Sequence, residues 1–168
     1  METQGIFLQN WPWLVCLLAV ALAVWSATGT PSRGIRSLLF VFIAFTVASQ
    51  HQPFVIMVLR QIAPETNWLA LQNAANASIT CLMFILLTGL HHMLWRPASR
   101  PTYTIMQRTV SGLCGTGAGW LLGVLILLGA ADAAHIPLTL ESASHAQPMT
   151  LMLQSAVWLS QAVASFVP

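Results

Sequence analysis

Residues 109–131 have the sequence TVSGLCGTGAGWLLGVLILLGAA, a stretch without a single charged side chain. A helix needs about 20 apolar residues to cross the hydrocarbon core of a bilayer. This stretch meets that length, so it predicts a transmembrane helix. An all-α fold follows, because a lipid-exposed segment must satisfy its own backbone hydrogen bonds.

Three further stretches of similar length and composition precede it, at about residues 11–29, 37–59 and 74–95. The segments between the four spans, at residues 30–34, 63–67 and 96–101, have proline-containing compositions typical of turns. Because each connection is short, we expect neighbouring helices to be antiparallel and packed as one bundle. The sequence predicts a single integral membrane domain over residues 1–168, a polytopic transmembrane helix bundle.

A candidate fifth membrane helix lies at residues 149–167. Four of its polar residues fall on one narrow helical face, and the segment carries no charge: Thr150, Gln154, Gln161 and Ser165. A helix lying flat at the interface usually carries lysine or arginine toward the headgroups. The pattern therefore favours a fifth span that turns its glutamines into the bundle, with the interfacial helix as the alternative.

The overall composition agrees with a membrane protein and excludes several function classes. Of 168 residues, 57% are hydrophobic and 6% are charged, whereas soluble domains carry about 25% charged residues. All six basic residues are arginines, so a Walker-type phosphate loop and lysine Schiff-base chemistry are excluded. A net charge of +2 without a basic run argues against nucleic-acid binding. The three cysteines form no CxxC pair, which argues against a thiol oxidoreductase. We also expect that the protein binds no cofactor.

The arginines predict the orientation of the bundle. Five of them lie in or beside the first and third connections: Arg33, Arg36, Arg96, Arg100 and Arg108. The opposite side has Arg60 alone. By the positive-inside rule, the N-terminus, the second connection and the segment after residue 131 should lie outside. We expect a multi-pass protein of the cell (inner or plasma) membrane.

Gly115, Gly119 and Gly123 recur at every fourth position of the last span and form what we call the glycine ladder. In lipid, small residues let helix backbones approach closely and so drive helix association. The ladder therefore predicts a helix-packing face. The spacing fits a partner helix of the same chain and a partner helix of another subunit equally well.

Gln50, His51 and Gln52 interrupt the second span directly before Pro53, and we call them the polar segment. Polar side chains inside a span often mark a pathway, so His51 is a candidate relay for protons or solutes. The alternative is a structural hydrogen-bond cluster with Gln72, Asn73 or Asn76 of the next span. We favour the structural interpretation.

Histidine and acidic side chains near the C-terminal end of the chain are candidates for metal binding. The segment after the fourth span contains Asp132, His135, Glu141 and His145. Imidazole and carboxylate ligands suit zinc, copper or manganese, but the spacing matches no compact zinc motif, so no metal site is firm.

His91 and His51 differ by about 13–14 Å in predicted depth, so one haem iron cannot join them. His91 and His92, adjacent on a helix, diverge by about 100°. They fit better as a polar cap at a helix C-terminus near the interface.

From Arg33 to about Pro97 the chain resembles a group of uncharacterised actinobacterial polytopic membrane proteins regarded as transporters. The residues that carry the resemblance are the span up to Leu59, the loop sequence APETNWL at residues 63–69 and the sequence HHMLWRP at residues 91–97. The resemblance implies a helical membrane fold and a role in transport. It transfers no site residue.

The function that the sequence favours is a non-catalytic subunit or interaction module of a larger membrane assembly. Its expected partners are the lipid bilayer and other membrane protein subunits or a second copy of the chain. A small transporter or channel component, centred on His51, is one alternative. A membrane metal or redox protein is the other.

Overall fold

Four long helices make up the computed structural model, which describes residues 2–62, 72–94 and 103–133 together with Gln154, Val157, Trp158 and Gln161. In chain order they are α1 (Glu2–Ala27), α2 (Ser32–Ile62), α3 (Gln72–Leu94) and α4 (Ile105–Ala133). Each contains a segment long and apolar enough to cross a membrane: Asn10–Ala27, Ser32–Val58, Gln72–Leu94 and Ile105–Ala133. The predicted all-α bundle with four transmembrane helices is confirmed.

The helices extend beyond several predicted limits. α1 begins at Glu2 and passes through Pro12, and α2 passes through Pro53. α4 begins at Ile105 because Thr104 and Gln107 form a reciprocal capping box, in which each side chain accepts a backbone N–H from the other residue.

The α4 helix is the centre of the bundle and packs against the other three helices. α2 also packs against α3, whereas α1 and α2 share few contacts although they are consecutive. α1 runs antiparallel to α4, since Gly115 faces Leu22 whereas Gly123, further along α4, faces Val15. α3 also runs antiparallel to α4, since Gly129 faces Ala77 whereas Asp132 contacts Asn73. Although the connection between α1 and α2 is short, each of these two helices packs mainly against other helices.

The two ends of the bundle differ in their polar residues. At one end, which we call the arginine end, the start of α2 with Arg33 and Arg36 meets the C-terminal parts of α1 and α3. At the other, the aspartate end, Asp132 at the end of α4 meets the start of α3. Between the ends lies an apolar core formed by α2, α3 and α4: Val41, Ala44, Phe84, Ala118 and Leu122.

The outer surface of the bundle is strongly apolar. Large exposed side chains occur on every helix, among them Trp13, Leu39, Ile85 and Leu113. A surface of this kind is stable in contact with lipid tails, so the chain is a multi-pass membrane protein surrounded by bilayer.

The candidate fifth helix at residues 149–167 lies almost entirely outside the described residues. Gln154, Val157, Trp158 and Gln161 are helical and exposed. The assignment of this segment as a span stays a prediction.

Candidate functional site

The glycine ladder faces α1 of the same chain. A methyl group added at Gly119 would lie 2.6 Å from the Cα atom of Ala19, and one at Gly123 would lie 2.9 Å from Cγ1 of Val15. At Gly115 it would lie 2.6 Å from the carbonyl oxygen of Leu22. These distances are shorter than ordinary carbon contacts, so the α1–α4 interface has room for hydrogen atoms only at these positions.

Two further glycines allow close approach elsewhere in the bundle. Gly129 faces α3, where an added methyl would lie 2.8 Å from the Cβ atom of Ala77. Gly34, near the start of α2, lies directly against the backbone of Ser111. From its sequence context Gly34 was predicted to lie in a turn, and this contact was not predicted, although a glycine near a helix start is a signal for close approach.

Ser111 joins three helices at the arginine end. Its hydroxyl accepts a hydrogen bond from the Gly34 N–H at 3.1 Å and donates one to the Ser26 carbonyl at 2.9 Å. The Gly34 N–H is among the first of α2 and the Ser26 carbonyl is among the last of α1, so neither has a partner within its own helix. One buried hydroxyl therefore satisfies both helix ends and fixes the α1–α2 connection on α4.

The polar segment of α2 is divided between the inside and the outside of the bundle. Gln52 is buried, and its Nε2 atom donates to the Gln72 carbonyl at the start of α3 at 3.1 Å. Gln50 and His51 are exposed, and Nδ1 of His51 donates to the Val47 carbonyl of its own helix at 2.9 Å. The structure thus places Gln52 in an interhelical contact and His51 on the outer face of α2.

Of the four candidate metal ligands, only Asp132 belongs to the described residues. Its carboxylate accepts a hydrogen bond from the Asn73 backbone N–H at 2.9 Å, so it caps the positive N-terminal end of α3. His135, Glu141 and His145 lie outside the described residues, and the metal site stays a prediction. Within the part of the chain that the structure describes, no three His, Cys, Asp or Glu residues gather closely enough to hold an ion.

A cavity of about 850 Å³ lies at the arginine end, between the start of α2 and the C-terminal part of α3. Its wall combines two arginines and two histidines with hydroxyl groups and aromatic rings. We call it the arginine-end cavity. Its lining residues include Trp25, Thr30, Arg33, Arg36, Phe40, Ile85, Thr88, Gly89, His91 and His92.

Contacts within its wall hold the two guanidinium groups in place. Arg36 donates from Nη1 to Nε2 of His91 at 2.6 Å and from Nη2 to the Thr30 hydroxyl at 2.8 Å. Since a guanidinium has no acceptor, the imidazole of His91 receives this bond and is neutral in it. The Arg33 guanidinium donates to the Trp25 carbonyl at 3.1 Å and lies 4.7 Å from the centroid of the Trp25 ring, within cation–π range.

One hydroxyl of the cavity wall has no hydrogen-bond partner among the residues that the structure describes. Oγ1 of Thr88 is buried and forms no hydrogen bond with any described residue. Seven other serines and threonines in the described helices donate to the carbonyl one turn earlier: Ser37, Thr46, Ser49, Ser78, Thr80, Thr109 and Thr116. Thr88 departs from this pattern at the cavity.

The arginine-end cavity was not predicted from the sequence, where Arg33 and Arg36 indicated only the orientation of the bundle and His91 only a helix cap. Arg36 and His91 are 55 residues apart, and no spacing within one helix links them. The only available signal was that two short connections, both basic, fall at the same end of the predicted bundle.

Fold and surface together define the class: a multi-pass α-helical membrane protein with a central glycine-rich helix. No family model, curated protein or solved structure matches the chain.

Proposed function

We propose that this protein is a non-catalytic subunit or interaction module of a larger membrane assembly, with its arginine end on the cytoplasmic side. The observation that carries the proposal is the exposed polar pair Gln50 and His51 on the outer face of α2. The orientation rests on the positive-inside rule.

Their depth makes this pair unusual. In the candidate span Ser32–Val58, His51 lies six residues from the middle, which corresponds to about 9 Å along the helix axis. The hydrocarbon core extends about 15 Å on either side of the bilayer centre. Both side chains therefore lie at a depth where lipid offers no hydrogen-bond partner, and polar groups there normally face protein or a water-filled cavity.

Hydrogen bonds within the described part of the chain do not give these side chains the polar partners that this depth requires. Among the described residues, Gln50 and the Nε2 atom of His51 have no hydrogen-bond partner. Phe54 and Met57, about one and two turns further along the same face, are more than half exposed. We call this outer face of α2, formed by Gln50, His51, Phe54 and Met57, the α2 face. Its polar pair beside apolar side chains suits contact with another membrane helix that presents a matching polar group.

Two experiments test whether protein or lipid covers the α2 face. A photo-crosslinking amino acid in place of Phe54 should form adducts with a second polypeptide in native membranes. The same group in place of Leu113, an exposed residue of α4, is the matched control. The double variant Gln50→Leu, His51→Leu should lose the assembly, measured as the mass of the purified complex by light scattering. An unchanged mass with higher thermal stability would show that lipid covers this face, and the proposal would be wrong.

A small transporter or channel component is the second candidate, favoured by the presence of His51 within a span. Histidine is the side chain that ordinarily changes charge near physiological pH, which suits proton handling. On the outer face of α2, His51 could serve a pathway only between this chain and a neighbour. His51→Gln keeps a donor and an acceptor but cannot titrate, so loss of transport with retained assembly would favour this candidate over the purely structural one.

A further inference from the structure

We propose that the arginine-end cavity is a binding site for a phosphate group, with Arg33 and Arg36 as its charged ligands and Thr88 as a hydrogen-bond donor. The site is separate from the α2 face and independent of the proposed assembly. The phosphate could come from the headgroup of an anionic phospholipid or from a soluble phosphate anion, and the experiment below separates these sources.

The charge of the cavity wall favours an anionic ligand. The Arg33 and Arg36 side chains are partly buried in the cavity wall, and no aspartate or glutamate occurs among its described lining residues. The contacts of Arg36 are to neutral groups, the imidazole of His91 and the hydroxyl of Thr30. Two guanidinium cations thus share a cavity without a carboxylate, and guanidinium geometry matches phosphate oxygens well.

Both guanidinium groups keep hydrogen-bond donors that a ligand can use. A guanidinium has five N–H donors. Hydrogen bonds to described residues use two of the donors of Arg36 and one of those of Arg33. Contacts with Trp25, Thr30 and His91 hold both groups, so little side-chain freedom is lost when an anion binds.

The buried hydroxyl of Thr88 favours a ligand with a hydrogen-bond acceptor. A buried hydroxyl without a partner is unfavourable, and such groups in native proteins usually indicate a bound water or ligand. Thr88 could donate to the carbonyl of its own helix one turn earlier, as other helical hydroxyls here do. A phosphate oxygen in the cavity would give it a charged acceptor instead.

Size and lining favour a phosphate that carries an apolar group. A volume of about 850 Å³ lies within the roughly 300–1,000 Å³ of sites that hold drug-sized ligands. Trp25, Phe40 and Ile85 supply apolar wall, and Ile85 and Gly89 are exposed on the outer side of α3. A lipid headgroup could therefore enter from the bilayer, with its phosphate at the arginines and its glycerol part along the apolar wall.

The test measures lipid binding to the purified full-length protein in detergent by native mass spectrometry. Dioleoylphosphatidylglycerol should bind more tightly than zwitterionic dioleoylphosphatidylcholine. Arg33→Gln and Arg36→Gln should each weaken this binding about fivefold. Arg108→Gln is the matched control, because Arg108 is an exposed arginine of α4 outside the cavity lining, and its binding should stay close to wild type.

Thr88→Val separates ligand binding from folding. Because the Thr88 hydroxyl has no partner among the described residues, valine should leave the thermal stability of the lipid-free protein unchanged or higher and still weaken binding severalfold. Thr116→Val, on the exposed side of α4, should change neither quantity.

Inorganic phosphate added as a competitor identifies the source. Displacement of the lipid at millimolar phosphate would support the site and indicate a soluble anion. Arginine-dependent lipid binding without displacement would support it and indicate a phospholipid. The proposal would be overturned if neither probe binds, or if Arg33→Gln, Arg36→Gln and Thr88→Val all bind the lipid as tightly as Arg108→Gln.

Discussion

Replacing Ser111 by alanine should lower the free energy of unfolding by more than the loss of one ordinary hydrogen bond would. The Ser111 hydroxyl is buried, accepts from the Gly34 N–H and donates to the Ser26 carbonyl. Both partners belong to helix ends, and the described chain offers the Gly34 N–H no other acceptor. The Ser26 carbonyl keeps a second donor, the Gly29 N–H at 3.3 Å.

The expected magnitude follows from these two bonds. An unsatisfied buried donor costs about 1–3 kcal/mol, which applies to the Gly34 N–H. The bond to Ser26 contributes only its net value of about 1 kcal/mol, because its acceptor remains paired. We therefore expect Ser111→Ala to lower the free energy of unfolding by about 2–4 kcal/mol.

The assay is unfolding in mixed micelles titrated with sodium dodecyl sulfate, followed by the fluorescence of the seven tryptophans. Thr116→Ala is the matched control on the same helix, since its exposed hydroxyl bonds only to its own helix. Its free energy of unfolding should change by less than about 0.5 kcal/mol. If Ser111→Ala stays within the same limit, the Ser111 hydroxyl does not hold the three helices together.

Three further predictions concern packing, the aspartate end and orientation. Gly119→Ala should lower the free energy of unfolding by about 1–3 kcal/mol, because its methyl overlaps the α1 backbone. Gly112→Ala, with ordinary contact at 3.5 Å, should be neutral or stabilising, and equal effects would contradict the packing role. Asp132→Asn should cost about 1 kcal/mol in the same assay, because the charge that caps Asn73 is lost, and no change would refute that cap. A cysteine at Arg33 should react with an impermeant maleimide only in inverted vesicles, and labelling in intact cells would reverse the proposed orientation.

The four spans were predictable because a bilayer imposes a local requirement. About 20 apolar residues in a row form a helix in lipid whatever their neighbours are. The helix ends were predicted less well, as at α4, where the capping box of Thr104 and Gln107 moves the start to Ile105. That signal is present in the sequence, but it lies before the apolar stretch on which the prediction was based.

The glycine ladder shows which part of a helix contact the sequence can predict and which part it cannot. Its spacing indicates that one face of α4 admits a close neighbour, but it does not say which helix that neighbour is. The structure places α1 there, although α1 is the most distant of the helices in sequence. The polar segment shows the same limit, since the pattern could not tell that Gln52 points inward and His51 outward.

By itself, the sequence determined that this protein is embedded in a membrane, that it has four apolar helices and that one end of the bundle is basic. These properties depend on composition over one helix length. Only the tertiary structure decided that Ser111 satisfies the ends of two other helices, and that Arg33 and Arg36 share a cavity with His91 and Thr88. Such contacts depend on the rotation and axial position of each helix against its neighbours. Those are set by side-chain packing across the whole bundle and leave no local pattern in the chain.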